Sequence, residues 1–257
     1  MRVTMLGCGH SGGVPLIGCD CAICTSKNPK NTRKRVSILI EVNNINILVD
    51  TSPDLHQQAL DNNIRRIDAV LYTHDHADHT HGIDELRSFN YLSGKEIPVF
   101  SNESTLNLLK QRFSYVFKEK PENLWFRPCL MPHVISGGEV ANFGVLGVPV
   151  TAFRQGHGKG ETLGFRIGDF AYSTDVDFIP ETSFEALAGV KFWIVDCLRY
   201  TKSYSHSNLE QTLQWIARVK PERAVLTHMS HEVDYDELKA QLPPHIEPGY
   251  DGLTLDI

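Results

Sequence analysis

Ala69-Val70-Leu71-Tyr72-Thr73-His74-Asp75-His76-Ala77-Asp78-His79 runs from an apolar, strand-like segment straight into three imidazoles and two carboxylates. Imidazole suits zinc, copper, iron and nickel, whereas carboxylate oxygens serve harder ions or bridge two metals. Side chains alternate along an extended segment, so His74, His76 and Asp78 can project to one side at a strand end. His79 follows at once and has to turn toward a second ion. A polar loop with accidental histidines is the bland alternative. Mixed ligand types at such tight spacing argue against it.

Working outward, the chain has 257 residues, 41% apolar and 22% charged, with a formal charge of −6. That composition suits a globular chain with a sizeable core and argues against disorder. The negative charge gives no support to non-specific nucleic-acid or membrane binding. Lys27, Lys30, Arg33, Lys34 and Arg35 form a local basic cluster. It reads as a solvated loop, with attraction of phosphate as the alternative. The apolar part of Met1–Gly7 is too short for a signal peptide, and no stretch has transmembrane length. A cytoplasmic location is therefore expected, with the six cysteines as thiols or metal ligands rather than disulfides.

No repeat, low-complexity tract or linker divides the chain, so residues 1–257 are expected to form a single domain. Ser37–Val42 and Ile45–Asp50 read as a hairpin about Asn43-Asn44, since Asn tolerates the positive φ of a tight turn. Further strands are expected at Val3–Leu6, Ala69–Thr73, Ile97–Phe100, Thr162–Ile167, Phe170–Ser173, Phe192–Val195, Ala224–Thr227 and Leu253–Ile257. Helices are expected at Pro53–Asn62, Ser104–Val116, Pro180–Leu187, Asn208–Val219 and Asp234–Gln241. Ser52 is the expected cap of the first, with Pro53 opening it. Ser207 and Glu210 form a capping-box pattern on the fourth, whose face would carry Leu209, Leu213, Ile216 and Ala217. Strands interspersed with helices indicate an α/β chain with mixed sheets covered by helices.

Two metal sites need more donors than one strand end supplies. His157 lies among glycines in Gln155-Gly156-His157-Gly158-Lys159-Gly160, Asp175 follows Phe170–Thr174, and His228 follows Ala224–Thr227. The ordered set His74-x-His76-x-Asp78-His79, His157, Asp175 and His228 resembles the metallo-β-lactamase fold superfamily in its dinuclear hydrolase branch, over essentially the whole chain. The resemblance implies an αββα sandwich. It implies a first metal on His74, His76 and His157, a second on Asp78, His79 and His228, and Asp175 bridging them. Asp50 matches an aspartate that orients ligands from behind. Two divalent ions about 3.5–4 Å apart can share a hydroxide and stabilise a leaving oxygen. Zinc and manganese are the expected occupants, with Asp78 also a candidate to align the nucleophile.

In Cys19-x-Cys21-x₂-Cys24 a disulfide would leave one thiol over and suits a cytosolic chain poorly, so a metal site is expected, with unmetallated thiols as the alternative. A structural zinc needs four ligands, and His231 is the candidate fourth. This Cys₃His set, with His228-x₂-His231, resembles the phosphodiesterases related to 5-phosphoribosyl 1,2-cyclic phosphate phosphodiesterase. In that group a histidine matching His206 lies near the substrate, as candidate acid or phosphate contact. Cys8, Cys129 and Cys197 read as buried apolar residues. His10, His56, His81, His133 and His245 stay outside the scheme. Gly7-Cys8-Gly9-His10-Ser11-Gly12-Gly13 lacks a P-loop ending and reads as a tight structural turn.

The leading expectation is a dinuclear metal-dependent phosphodiesterase acting on a small cyclic or nucleotide-like phosphate diester. By resemblance it would be a homodimer. An RNA-processing endonuclease of the tRNA 3′-end type shares the ligand set but would need a long basic arm. A β-lactamase would need an export signal; a lactonase or thioesterase is a further option. A flavin-linked di-iron oxidoreductase would carry Glu in place of His76. A non-catalytic, metal-held nucleotide-binding module is the alternative from another class.

Overall fold

The computed structural model describes residues 1–119 and 126–257. Among these, one seven-stranded sheet runs in the order β14 (Thr254–Asp256), β1 (Arg2–Gly7), β2 (Ser37–Val42), β3 (Ile45–Val49), β4 (Ala69–Leu71), β5 (Ile97–Ser101), β6 (Leu130–Val134). The second, also of seven strands, runs β13 (Ile246–Pro248), β12 (Arg223–Thr227), β11 (Phe192–Asp196), β10 (Phe170–Ser173), β9 (Gly160–Ile167), β8 (Val148–His157), β7 (Val140–Val145). Each sheet is mixed. Pairing is antiparallel from β14 to β3 and parallel from β3 to β6. In the second sheet it is parallel from β13 to β10 and antiparallel from β10 to β7.

The strands read as continuous apolar runs because both faces of the sheets are covered. Ile38, Ile40, Ile47, Val49, Ala69 and Leu71 pack inward against Phe153, Phe165 and Tyr172 of the second sheet's cluster. Their alternates Leu39, Leu48, Val70 and Tyr72 face the other way, toward Leu55 of α1 (Leu55–Asp61), Leu86 and Phe89 of α3 (Leu86–Ser93), and Leu106 and Leu109 of α4 (Glu103–Arg112). α5 (Glu181–Leu187), α6 (Leu209–Val219) and α7 (Tyr235–Gln241) add Phe184, Leu187, Trp215, Ile216 and Leu238 to the larger cluster. Full burial of a Val, Leu or Ile is worth about 1.5–3 kcal/mol, against a span of about 1 kcal/mol for strand propensity. Two-sided burial therefore holds the register. The result is the expected αββα sandwich. No described helix is long and apolar enough to cross a membrane.

The hairpin forms about Asn43 and Asn44, at φ 50° and 59°. Several local expectations are corrected. α1 starts at Leu55, and Ser52 and Pro53 lie in the preceding turn, where Ser52 Oγ accepts from the Asp54 N–H at 3.1 Å. The cap of α6 is Asn208, whose Oδ1 accepts from the Gln211 N–H. Ser207 instead donates its hydroxyl to the Asp196 carbonyl at 2.7 Å. On α6 the buried positions are Thr212, Trp215 and Ile216, while Ala217 is exposed. The basic cluster is not a solvated loop throughout: Arg33 is 1% exposed and donates to the Ser230 and Val233 carbonyls. Strands β6, β7, β8 and β13 were not expected from the sequence; three of them carry Pro132, Pro149 or Pro248, and β6, β7 and β13 are edge strands, where proline is tolerated.

Candidate metal centre

The dense motif lands where β4 ends, and the other donors arrive at neighbouring strand ends. Asp50 follows β3, His157 closes β8, Asp175 lies just past β10, Asp196 closes β11 and His228 follows β12. Asp50, Asp175 and His228 adopt left-handed backbone angles, φ 63°, 52° and 59°. Non-glycine residues pay for that conformation, and such strain gathers at functional sites. Here it turns each side chain off its strand into one shared space. Asp78 and His79 ride on α2 (Ala77–Thr80), a single turn that the period-two reading did not anticipate.

Two donor groups result. His74, His76, His157 and Asp175 form one; Asp78, His79, His228 and Asp175 form the other, with donor atoms within 4.8 Å of one another in each. Asp175 belongs to both. His79 Nε2 lies 3.1 Å from Asp175 Oδ1 and 3.3 Å from Asp78 Oδ2. His228 Nε2 lies 3.4 Å from Asp175 Oδ2, and His74 and His157 Nε2 each 3.9 Å from it. Nitrogen and oxygen ligands at about 2.0–2.1 Å from a tetrahedral ion stand roughly 3.3 Å apart. The donor spacing fits two divalent ions. His74, His79 and His228 Nε2 are buried with no hydrogen-bond partner, as atoms awaiting a cation are.

The other face of these imidazoles is held from behind. His79 Nδ1 meets Asp50 Oδ2 at 2.7 Å. Thr73 Oγ1 donates to the same oxygen at 2.8 Å and lies 2.9 Å from His74 Nδ1. His157 Nδ1 meets the Ser205 carbonyl at 2.6 Å. In each case the acceptor or the oriented hydroxyl keeps the proton on Nδ1 and leaves Nε2 bare for metal. Asp50 reaches both donor groups, at His79 directly and at His74 through Thr73. Burial opposes ionisation of Asp78 and Asp175, yet the surrounding imidazoles prevail and hold both carboxyls well below the usual range. Burial likewise opposes a charge on His79, but Asp175, Asp78 and Asp50 outweigh it and raise its pKa well above the ordinary value.

His206, on the segment before α6, is half-buried beside this space. Its Nε2 lies 3.9 Å from Asp175 Oδ2 and its Nδ1 3.4 Å from Asp196 Oδ2. Burial works against its protonation, but Asp196 outweighs it and lifts the imidazole to about 9. Asp196 was missed by the sequence reading. It is fully buried and takes N–H donations from Val176 and Ser207, while its other oxygen lies 3.7 Å from His228 Nδ1. The signal was present: Phe192–Asp196 is an apolar strand that ends in Asp, as do the segments before Asp50 and Asp175.

Cys19, Cys21, Cys24 and His231 converge as a further group. Their sulfurs lie 3.4, 3.6 and 3.6 Å from His231 Nδ1. Zn–S of about 2.3 Å and Zn–N of about 2.0–2.1 Å in a tetrahedron require roughly 3.6 Å. The fit is close. The Cys24 N–H, then His231, pulls the Cys21 thiol down to about 6, whereas burial pushes Cys24 up to about 11. Arg33 braces the Ser230–Val233 turn that carries His231. His10 packs its ring 6.2 Å from that of His231 and accepts the Gly12 N–H at Nδ1, a turn-stabilising role. Cys8, Cys129 and Cys197 are buried, as expected.

A family model of the β-lactamase superfamily domain matches residues 45–229. An octanoyltransferase of Porphyromonas gingivalis is 36% identical over 256 residues, covering 98% of this chain and 51% of that protein. The chain thus spans about half the length of that relative. A solved diphosphatase from the PhnP family is 34% identical at a TM-score of 0.91, covering 100% of this chain and 97% of the other. Zn²⁺-bound PqqB from Methylobacterium extorquens is 21% identical at a TM-score of 0.80, with 100% of both chains covered, a likeness of fold. The chain belongs to the β-lactamase superfamily, and its two His/Asp groups are ones that could hold metal ions.

Proposed function

We propose that the chain is a two-metal hydrolase of small phosphate esters, cleaving a phosphodiester or diphosphate linkage in a nucleotide-like or cyclic ribosyl substrate. The observation that carries this reading is His206, backed by the buried carboxylate of Asp196 and lying 3.9 Å from the shared ligand Asp175. Zinc or manganese ions on the two donor groups, when bound, supply Lewis acidity and lower the pKa of water. The chain's own residues do the rest. Asp50, Thr73 and Ser205 keep Nδ1 of three ligands protonated, so each Nε2 stays free. Asp196 keeps His206 protonated near neutral pH, ready to hand its Nε2 proton to a leaving alkoxide or phosphate oxygen. Cys19, Cys21, Cys24 and His231 would hold a structural zinc, which would tie the first loop to the turn following His228. The PhnP-family diphosphatase at 34% identity supports phosphorus–oxygen chemistry.

An RNA-processing role is disfavoured by the basic cluster itself. Lys34 pairs with Asp61 and Arg35 with Asp54, while Arg33 is buried, so these cations serve the fold. The test is elemental analysis of wild type and Cys21→Ser, with a panel of cyclic, aryl and nucleotide phosphodiesters and diphosphates. Close to three ions per chain falling to two in the variant, with turnover that His206→Ala abolishes, is expected. Metal-replete protein that cleaves none of the panel, or a wild type holding one ion or none, refutes it.

A further inference from the structure

Asp75 sits between the ligands His74 and His76, yet it belongs to neither donor group. Its carboxylate meets Arg112 Nη2 at 2.6 Å, and its backbone carbonyl accepts from Arg112 Nη1. Arg112 is the last residue of α4, and the turn beyond it continues the contact. Phe113 packs edge-on against His81, ring centroids 5.4 Å apart, and the Tyr115 hydroxyl donates to Asp84 Oδ2 at 2.7 Å. Three anchors within residues 112–115 thus grip residue 75 inside the ligand motif and residues 81 and 84 just beyond it. An isolated, half-exposed ion pair would be worth little. A planar guanidinium bound to both the side chain and the carbonyl of one residue is different, because it fixes that peptide's orientation.

We infer that Arg112 is a positioning residue: its two-pronged grip on Asp75 sets the peptide that carries His74 and His76 and so orients the first donor group. The inference rests on the reading of those histidines as metal ligands. It has a physical reason. His76 is exposed, and among the described residues no hydrogen bond holds its Nδ1 as Asp50, Thr73 and Ser205 hold those of His79, His74 and His157. The one exposed ligand, which burial does not confine, is the one whose main chain is gripped. Lysine has one point charge and cannot reproduce the fork.

The experiment compares wild type, Arg112→Ala, Arg112→Lys and Tyr115→Phe, each loaded with Co²⁺ and with Zn²⁺. Ion affinity is read by chelator competition, ligand geometry by the visible Co²⁺ spectrum, and kcat and KM at saturating metal. Arg112→Ala is expected to weaken one of the two centre ions about 10-fold, at the lower end of the cost of losing a ligand-orienting partner. The Co²⁺ spectrum should change and kcat fall while KM holds, with Arg112→Lys failing to rescue and Tyr115→Phe showing a smaller effect. Unchanged affinity and spectrum in a folded Arg112→Ala overturn the inference. A KM rise with kcat and spectrum intact also overturns it, because Arg112 would then touch substrate. Should Arg112→Ala not fold, Arg112→Lys decides by the same two readouts. A wild type that binds no ion at the centre sinks the metal reading itself, and is told apart by that result alone.

Discussion

Replacing Asp50 with Asn changes one atom and reverses a hydrogen bond on which both donor groups depend. The Asp50 Oδ1 atom accepts the Thr73 N–H at 2.8 Å, so the Asn oxygen must stay there and its NH₂ takes the place of Oδ2. That position now accepts from His79 Nδ1 and Thr73 Oγ1. A donor placed there forces His79 to accept at Nδ1 and carry its proton on Nε2, the atom 3.1 Å from Asp175 Oδ1. There the proton competes directly with the ion. Thr73 Oγ1, no longer donating to Oδ2, loses its fixed direction toward His74. Loss of such a partner costs 10–100-fold in metal affinity, about 1.4–2.7 kcal/mol. Asn tolerates the left-handed backbone of residue 50, so the fold should persist. The assay is competition with a chromophoric chelator on Zn²⁺-loaded protein, with circular dichroism as the check on folding. An Asp50→Asn protein that is folded and holds both ions within about threefold of wild type refutes the tautomer argument.

Asp196→Asn removes the countercharge that holds His206 near 9, so the alkaline limb of the kcat–pH profile should move down toward the ordinary histidine range; an unmoved limb refutes the pairing. Burial raises Asp251 to about 6, with its ordinary value at 3.8. The folded state therefore favours its protonated form: the contribution to stability is present below the unfolded value and is lost as pH rises through about 6. Two units correspond to roughly 3 kcal/mol, and the stability difference between wild type and Asp251→Asn, followed by urea denaturation from pH 4 to 7 (about the titration window), should change by that order; a flat difference refutes it. At Gly164 an added Cβ would stand 2.2 Å from Phe153 Cε2 and 2.4 Å from its Cζ, across the β8–β9 pair. Gly164→Ala should cost about 1–3 kcal/mol in thermal or urea unfolding by overpacking, and a neutral result would show that the Phe153 ring can move.

Much of this was legible because ligand chemistry is local. His74, His76, Asp78 and His79 declare themselves by type and spacing, and Cys19, Cys21 and Cys24 do the same. Strands such as Phe170–Ser173 were legible because two-sided burial demands unbroken apolar runs. Edge strands β6, β7 and β13 were not, since a half-exposed edge accepts Pro, Gly and polar residues without a pattern. The cap of α6 was misread because Ser207 and Asn208 are both good caps. The choice fell to Asn208 once the buried Asp196 claimed Ser207.

What the chain determined by itself was the inventory: the donor residue types, their order and an α/β class with mixed sheets, which the family resemblance narrowed to an αββα sandwich. Which atoms meet was decided only in three dimensions. Asp196 and His206 are ten positions apart and carry no motif between them, and Asp75 and Arg112 lie 37 apart. Their pairing depends on where strands end and on left-handed turns at Asp50, Asp175 and His228. Those turns are strained conformations that no local preference selects. They persist because packing on both sides of the two sheets leaves the chain nowhere else to go.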